Sequence, residues 1–197
     1  LALGDLVDVD GEDLLEEGAA VAGLDAGLSL QLCSWVSRGS RAFRTELLSL
    51  IEEIADPAGG PALRLALFDD NVETAALAAR VMGKIHYKAG VPVLLKALHL
   101  RREKPGDHEV FLTAACRSLG ELGDEKAIPF LQEVARKKSL LRGRTYPQGA
   151  RLSAIEALSR IDRPEVWRFL ETLAAERNES VQETLERITR ERTESLL

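Results

Sequence analysis

Apolar residues recur at helical spacing along most of the chain, and residues 110–135 show the pattern clearly. From 110 to 122, and again from 127 to 134, apolar side chains lie three or four positions apart, as on one face of a helix. Gly123 stands between the two stretches, where its tolerance of positive φ can end a helix, and the Asp124 side chain can cap the helix that follows. The pattern predicts two short helices packed against each other, each with an apolar face left for a neighbour.

The same two-helix pattern occurs four times, with successive copies 31, 37 and 39 residues apart. Matching hydrophobic residues end the first helices, matching leucines occupy the second helices, and alanines and prolines recur at fixed places. The prolines fall near the start of a helix, where a missing N–H costs least. The aligned sets are Ile54, Ile85, Leu122 and Ile161; Leu63, Leu94, Leu131 and Leu170; Ala78, Ala115 and Ala154; and Pro61, Pro92 and Pro129. This repeat predicts an all-α fold, a right-handed α-α superhelix of stacked hairpins.

Composition agrees with a helical fold and narrows the classes of partner. Hydrophobic residues make up 45% of the 197 residues and aromatic residues only 5%, so mainly leucine, alanine, valine and isoleucine must form the core. The net charge of −6 gives no overall attraction to nucleic acid or to an anionic membrane. No apolar run approaches the roughly 18 residues of a membrane span. Binding to either would need a local basic patch.

Cysteines and tryptophans fit the same packing scheme. Cys33 and Cys116 both lie among apolar residues at helical spacing, which favours buried free thiols and a reducing, cytoplasmic setting. Trp167 shares a position with Val91 and Ile128, which favours an inward-facing side chain. Trp35 lies near the N-terminal end of the predicted array and is interpreted as a packing residue there.

Two segments carry a resemblance to a known family. The sequences Leu-Gly-Glu-Leu-Gly-Asp-Glu-Lys-Ala-Ile-Pro-Phe-Leu at 119–131 and Ile-Ala-Asp-Pro-Ala-Gly-Gly-Pro-Ala-Leu at 54–63 resemble HEAT repeats of the short, bilin-lyase-like type common in bacteria. The resemblance covers about residues 40–190, although the last full repeat has Arg168 where proline is expected. It implies architecture and no particular activity, because the matching residues are core and turn residues.

The chain is expected to divide along these repeats. Residues 1–11 form a leading segment to which the pattern assigns no structure. A degenerate N-terminal helical cap is predicted at 12–39, with helices at 12–24 and 26–36. Repeats are expected at about 40–71, 72–109, 110–150 and 151–180, followed by a partial repeat at 181–190 and a frayed tail at 191–197. The chain begins with Leu1, which is compatible with a piece of a longer protein that has other domains.

Two candidate metal sites are disfavoured. Acidic residues from Asp8 to Glu17 match several positions of a calcium-binding loop, but the first position would be Leu6, which has no side-chain oxygen. His108 and Glu109 resemble one of the His-Glu dyads of HEAT-repeat deoxyhypusine hydroxylases, a family that needs several such dyads to hold two irons. No phosphate-binding glycine loop, nucleophile elbow or Cys-x-x-Cys motif occurs in the sequence. The sequence therefore predicts no catalytic residue, no metal and no cofactor.

The candidate for partner binding is a basic strip made by two loops. Residues 136–151 carry six cations, no acid lies between Glu133 and Glu156, and the equivalent loop of the preceding repeat carries three more cations. Equivalent loops of a solenoid lie side by side along one edge. The basic strip comprises Arg101, Arg102, Lys104, Arg136, Lys137, Lys138, Arg142, Arg144 and Arg151. Such cations bind carboxylates and phosphates, although simple solvation of the loops is an equal alternative.

These features predict a non-catalytic scaffold that binds another protein with an acidic surface. Nucleic acid is a poorer partner, because Tyr146 is the one aromatic residue near the strip and Glu171 and Glu176 interrupt a long basic track. Two alternatives stay open. One is an enzyme resembling bilin lyases, which would need a deep apolar groove. The other is phosphate or nucleic-acid binding through the strip, as a resemblance to HEAT-like DNA glycosylases would imply.

Overall fold

The computed structural model describes residues 26–101, 108–136 and 146–195, and every regular element in these ranges is helical. Short 3₁₀ turns precede three of the helices. The α-helices are α1 (Ala26–Arg38), α2 (Arg41–Ile54), α3 (Gly60–Ala66), α4 (Val72–Lys84), α5 (Val91–Arg101), α6 (His108–Leu122), α7 (Ile128–Ala135), α8 (Gln148–Ser159), α9 (Pro164–Leu173) and α10 (Glu179–Ser195).

These helices form hairpins that stack in single file. The first helices α2, α4, α6, α8 and α10 make one layer, in which each packs against the next, most extensively α4 on α6 and α6 on α8. The second helices α3, α5, α7 and α9 complete the hairpins, and α1 packs mainly against α3. The predicted all-α solenoid is confirmed.

The hairpin turns have a common geometry. Ala55 and Gly123 directly follow a first helix and His86 follows one after Ile85, and their φ values are 55°, 64° and 54°. A left-handed residue there stops the helix and turns the chain toward the second helix. The Asp124 carboxylate then accepts a hydrogen bond from the Lys126 N–H at 2.9 Å, which caps the 3₁₀ turn. The predicted role of Gly123 is therefore confirmed, whereas Asp124 caps the 3₁₀ turn that leads into α7 and not α7 itself, whose N-cap Ala127 makes no side-chain cap bond.

The aligned leucines occupy matching interior sites, as the repeat predicts. Leu63, Leu94 and Leu131 are fully buried and Leu170 is nearly so. The aligned alanines of the first helices, Ala78, Ala115 and Ala154, are also fully buried. Small residues let neighbouring first helices approach closely: an added Cβ at Gly120 would lie 2.6 Å from the Ala157 Cα. Burial of these side chains supplies the main favourable free energy of the stack.

One aligned position departs from the interior pattern at the N-terminal end. Ile85, Leu122 and Ile161 are buried, whereas Ile54 is 64% exposed. The later three helices are each covered by the preceding first helix, and in the described residues no helix precedes α2 in that layer. Exposure of Ile54 therefore follows from its place at the end of the described stack.

The C-terminal hairpin also differs in detail from its predecessors. Helix α9 begins at Pro164, so its proline stands four residues before Arg168, the position at which the repeat places one. Helix α10 extends to Ser195, beyond the expected end of the partial repeat, and carries an Arg187–Glu191 ion pair at 3.1 Å one turn apart. At the other end, α1 stands where the second helix of the N-terminal cap is expected, while residues 1–25 lie outside the described part of the chain.

Candidate functional site

The basic strip belongs to the edge of the solenoid at which second helices end and first helices begin. Three of its nine residues are described: Arg101 at the end of α5, Arg136 after α7 and Arg151 in the first turn of α8. The other six, Arg102, Lys104, Lys137, Lys138, Arg142 and Arg144, lie outside the described residues. The structure therefore locates the ends of both basic loops and three of the cations.

Arg151 is a buried structural residue. Its side chain is 5% exposed, its Nε and Nη2 donate hydrogen bonds to the Ala135 carbonyl at 3.2 and 3.1 Å, and Nη2 pairs with the Glu176 carboxylate at 2.8 Å. The guanidinium thus joins the end of α7 to the loop between α9 and α10. Because these contacts occupy the cation inside the protein, Arg151 is unavailable to a partner, contrary to its assignment to the strip.

A second arginine makes the same connection at the N-terminal end. Arg44, in the first turn of α2, donates to the Gly39 carbonyl at 2.7 Å, and its Nε lies 2.6 Å from the Asp69 carboxylate in the loop between α3 and α4. Arg44 and Asp69 precede Arg151 and Glu176 by the same 107 residues. The two arginine staples, Arg44–Asp69 and Arg151–Glu176, are therefore equivalent features of two repeats. This alignment was the sequence signal that could have revealed the role of Arg151.

Arg101 also makes contacts that hold the edge together. Its Nε and Nη2 donate hydrogen bonds to the Leu67 carbonyl at 3.3 and 3.2 Å, and Nη2 also contacts the Asp69 carbonyl. Its guanidinium carbon lies 4.9 Å from the centre of the Phe111 ring, a cation–π distance. The side chain consequently ties α5 to the preceding connection and to α6.

The second basic loop starts and ends at anchored residues. Arg136 places its guanidinium carbon 5.0 Å from the centre of the Phe169 ring, and the Tyr146 hydroxyl donates to the Glu133 carboxylate at 3.0 Å. The loop therefore leaves and re-enters the stack close to the end of α7. Residues 137–145 between these anchors contain four strip cations and no acid.

The other residues considered in the sequence are the His108–Glu109 dyad and the two tryptophans. Within the described side chains, no group of three or more His, Cys, Asp and Glu residues is placed to hold a metal ion. Glu109 is exposed, and its dyad partner His108 begins α6 with a side chain outside the described set. The Trp167 side chain is half-buried, and its Nε1 donates a hydrogen bond to the Asp162 carboxylate at 3.2 Å. The Arg192 guanidinium carbon lies 3.9 Å from the centre of the Trp167 ring, so this tryptophan is a packing residue. Trp35 is 42% exposed at the N-terminal end, less buried than a core residue.

Both cysteines are buried free thiols, as predicted. Complete burial raises the pKa of Cys116 to about 12, because the thiolate has no solvation there. Burial also raises the pKa of Cys33, while the nearby Arg64 charge acts in the opposite direction. Neither thiol is in the ionised form that nucleophilic catalysis requires at neutral pH.

Beside α10 lies an open groove of about 690 Å³. Its lining includes Leu185 but also Gln182, Glu186 and Arg190. A tetrapyrrole chromophore would need a deep and mainly apolar cleft. The polar lining of this groove does not favour the bilin-lyase alternative.

Comparison with protein-family models identifies the type of repeat that the central hairpins form. A family model described as HEAT repeats matches residues 60–146, from the start of α3 to the residue that anchors the second basic loop. Residues 60–146 of the chain are HEAT repeats. The flanking helices continue the same stack on both sides of the matched region. Comparison with curated proteins finds no match. Among the described helices, none has both the length and the apolar character required to cross a membrane.

Proposed function

We propose that this HEAT-repeat protein is a non-catalytic cytoplasmic scaffold that binds an acidic protein surface through its basic loop edge. HEAT repeats commonly serve as protein-interaction scaffolds. A stack of hairpins presents a long surface that needs little reorganisation on binding. The proposed contact residues are the loop cations Arg102, Lys104, Lys137, Lys138, Arg142 and Arg144.

The observation that carries the proposal is that the described arginines at this edge hold the backbone, which leaves the loop cations as the candidates for contact with a partner. Arg44, Arg101 and Arg151 are engaged with carbonyl groups and carboxylates inside the edge, so they fix the backbone from which the loops emerge. The loop cations follow directly after Arg101 and Arg136 in the sequence. A rigid edge with a concentrated positive charge attracts carboxylates and discriminates against basic surfaces.

Charge reversal tests the loop directly. The variant replaces Lys137, Lys138, Arg142 and Arg144 with glutamate and leaves Arg136 intact, because Arg136 packs on Phe169. Binding of a fluorescein-labelled polyglutamate peptide is measured by fluorescence anisotropy at two salt concentrations. We expect salt-sensitive binding by the native chain and a loss of at least about tenfold in the variant, since several charge pairs are reversed together.

A matched control separates a local site from net charge. Reversal of four exposed cations elsewhere, Lys88, Lys96, Arg117 and Lys126, changes the net charge by the same amount. We expect this control to bind like the native chain. Equal loss in both variants would mean that only overall charge matters, and the proposal would fail.

Other probes distinguish the remaining classes of ligand. The anisotropy measurement is repeated with labelled duplex DNA, and inorganic phosphate is added as a competitor of the polyglutamate peptide. Binding of a free bilin is followed separately, by its absorbance. Stronger, loop-dependent binding of DNA than of polyglutamate would replace the proposal with nucleic-acid binding. A pull-down from the source cell, with the native chain and both variants as bait, then identifies the natural partner by its dependence on the loop.

A further inference from the structure

Arg64 of α3 is a buried cation without a partner. The residue is only 8% exposed, and its Nε is buried with no hydrogen-bond acceptor. Among the described residues, none forms an ion pair or a hydrogen bond with its guanidinium group. Arginine is almost never buried in this way unless it is paired, because removing a charge from water costs free energy. A buried cation of this kind indicates that an anion belongs beside it.

Tyr87 brings a second unpaired polar group to the same side of α3. The residue is 3% exposed, and its hydroxyl is buried without a hydrogen-bond partner. Its ring packs on Gly60, where an added Cβ would lie 2.5 Å from the Cζ that bears the hydroxyl. Arg64 follows Gly60 by one helical turn, and a long side chain in a helix leans back over the preceding turn. The two unpaired groups therefore lie over the same part of α3.

Three departures from the repeat meet at this place. At the position of Tyr87, the first and third hairpins have Asp56 and Asp124, whose carboxylates cap their own 3₁₀ turns. Tyr87 makes no such cap bond. The later hairpins also lack an arginine at the position of Arg64 and a glycine at that of Gly60. The residues there are Leu95, Gln132 and Glu171, and Val91, Ile128 and Trp167. Because these hairpins stack without the arginine and the hydroxyl, stacking does not explain the burial of either group.

We propose that Arg64 and Tyr87 form a binding site for a small oxyanion, either a phosphate or a carboxylate group. The guanidinium supplies N–H donors and a positive charge, and the phenol supplies an O–H donor, so both groups suit a negatively charged acceptor. Gly60 provides the room that the Tyr87 ring occupies. The next residue after Arg64, Leu65, is 39% exposed, so the site lies beside the solvent-exposed side of α3. The proposal does not depend on the basic strip.

Thermal denaturation of the full chain in different salts tests the site. Sodium chloride is exchanged for sodium phosphate or sodium acetate, up to about 100 mM at constant ionic strength, so that general screening stays the same. Arg64→Met keeps the length of the side chain, removes its charge and measures the non-specific effect of each salt. We expect at least one oxyanion to raise the Tm of the native chain by about 5 °C more than that of Arg64→Met, as a ligand at about 100 times its Kd would.

The matched control is Arg117→Met, which removes an exposed arginine of α6 and should respond to the salts like the native chain. Equal Tm responses of the native chain and Arg64→Met would mean that the salts act non-specifically, and the proposal would be overturned. An equal loss of response in Arg117→Met would assign the effect to overall charge and overturn it as well.

Titration calorimetry supplies a second readout with a milder variant. Tyr87→Phe keeps the ring on Gly60 and removes only the hydroxyl. Its affinity for inorganic phosphate or acetate should be about tenfold lower than that of the native chain, since one hydrogen bond to a charged group is lost. Preference for phosphate would assign the site to phosphate-bearing ligands, and preference for acetate to carboxylates. No binding by the native chain, or native affinity in Tyr87→Phe, would overturn the proposal whether or not Arg64→Met folds.

Discussion

Replacing Arg151 with alanine tests the arginine staple at the C-terminal end. The change removes two hydrogen bonds to the Ala135 carbonyl and the 2.8 Å ion pair with Glu176. Breaking a buried pair by removing one partner costs about 3–5 kcal/mol. Glu176 keeps 21% exposure and can be hydrated after the change, so we expect the lower end, about 3 kcal/mol. For a chain of this size that corresponds to a Tm lower by about 6–12 °C.

The assay combines thermal denaturation with hydrogen exchange. Arg151 joins α7 to the α9–α10 connection, so the amides of α8 and α9 should lose protection before those of α4. Arg151→Lys retains the charge but cannot donate the forked pair of bonds, and should cost about 1–2 kcal/mol. Arg41→Ala is the control, because the Arg41–Glu73 pair has a similar 2.6 Å distance but is exposed, and should cost about 0.5 kcal/mol.

Two results would refute this reasoning. If Arg151→Ala were as mild as Arg41→Ala, the guanidinium would not be holding the two connections together. If Arg151→Ala left the Tm unchanged and weakened binding to the polyglutamate probe, Arg151 would belong to the partner surface that the sequence pattern assigned to it.

Three further substitutions follow from the packing and the turns. Gly120→Ala should lower the free energy of unfolding by about 1–3 kcal/mol in urea denaturation, because the added Cβ meets the Ala157 backbone at 2.6 Å. Gly149→Ala should be nearly neutral, because its added Cβ would meet only the Glu109 Oε1, at an ordinary contact distance of 3.5 Å. Ala55→Gly should raise the free energy of unfolding by about 1 kcal/mol, since φ is 55° there, and a decrease would contradict the turn geometry. Native Cys116, with its pKa raised to about 12, should make stability fall between pH 9 and 12 by about 1.4 kcal/mol per pH unit relative to Cys116→Ala, because only the unfolded chain ionises the thiol in that range. Parallel pH curves for the two proteins would show that the thiol is not buried.

The sequence predicts the repeated parts of the fold well because each position can be compared with its equivalents in the other repeats. Leu94 and Leu131 could be assigned to the interior since each has equivalents at the same place in the other hairpins, and all of these are buried. Gly123 and Asp124 could be assigned to the turn because their conformational preferences act locally. Such assignments need no knowledge of distant contacts.

Assignments that depended on tertiary surroundings were less secure. In the sequence Arg151 resembles the cations of the loop before it. In the structure it lies in the first turn of α8 and pairs with Glu176, 25 residues away, so it is a buried staple. Ile54 shares its position with three buried residues but lies at the end of the described stack. The sequence pattern indicates which side of a helix is apolar. Whether another helix covers that side depends on the place of the helix in the stack.

The two arginine staples make the array extensible. Because Arg44–Asp69 and Arg151–Glu176 fasten consecutive connections in the same way, a hairpin that carries this pair brings its own fastening to both of its junctions. The two middle hairpins have Ala75 and Leu112 at the arginine position, so it is duplication of the first or the fourth hairpin that would add a unit with its own fastening. Changes of length by gene duplication would then alter the reach of the molecule while preserving how its units are joined.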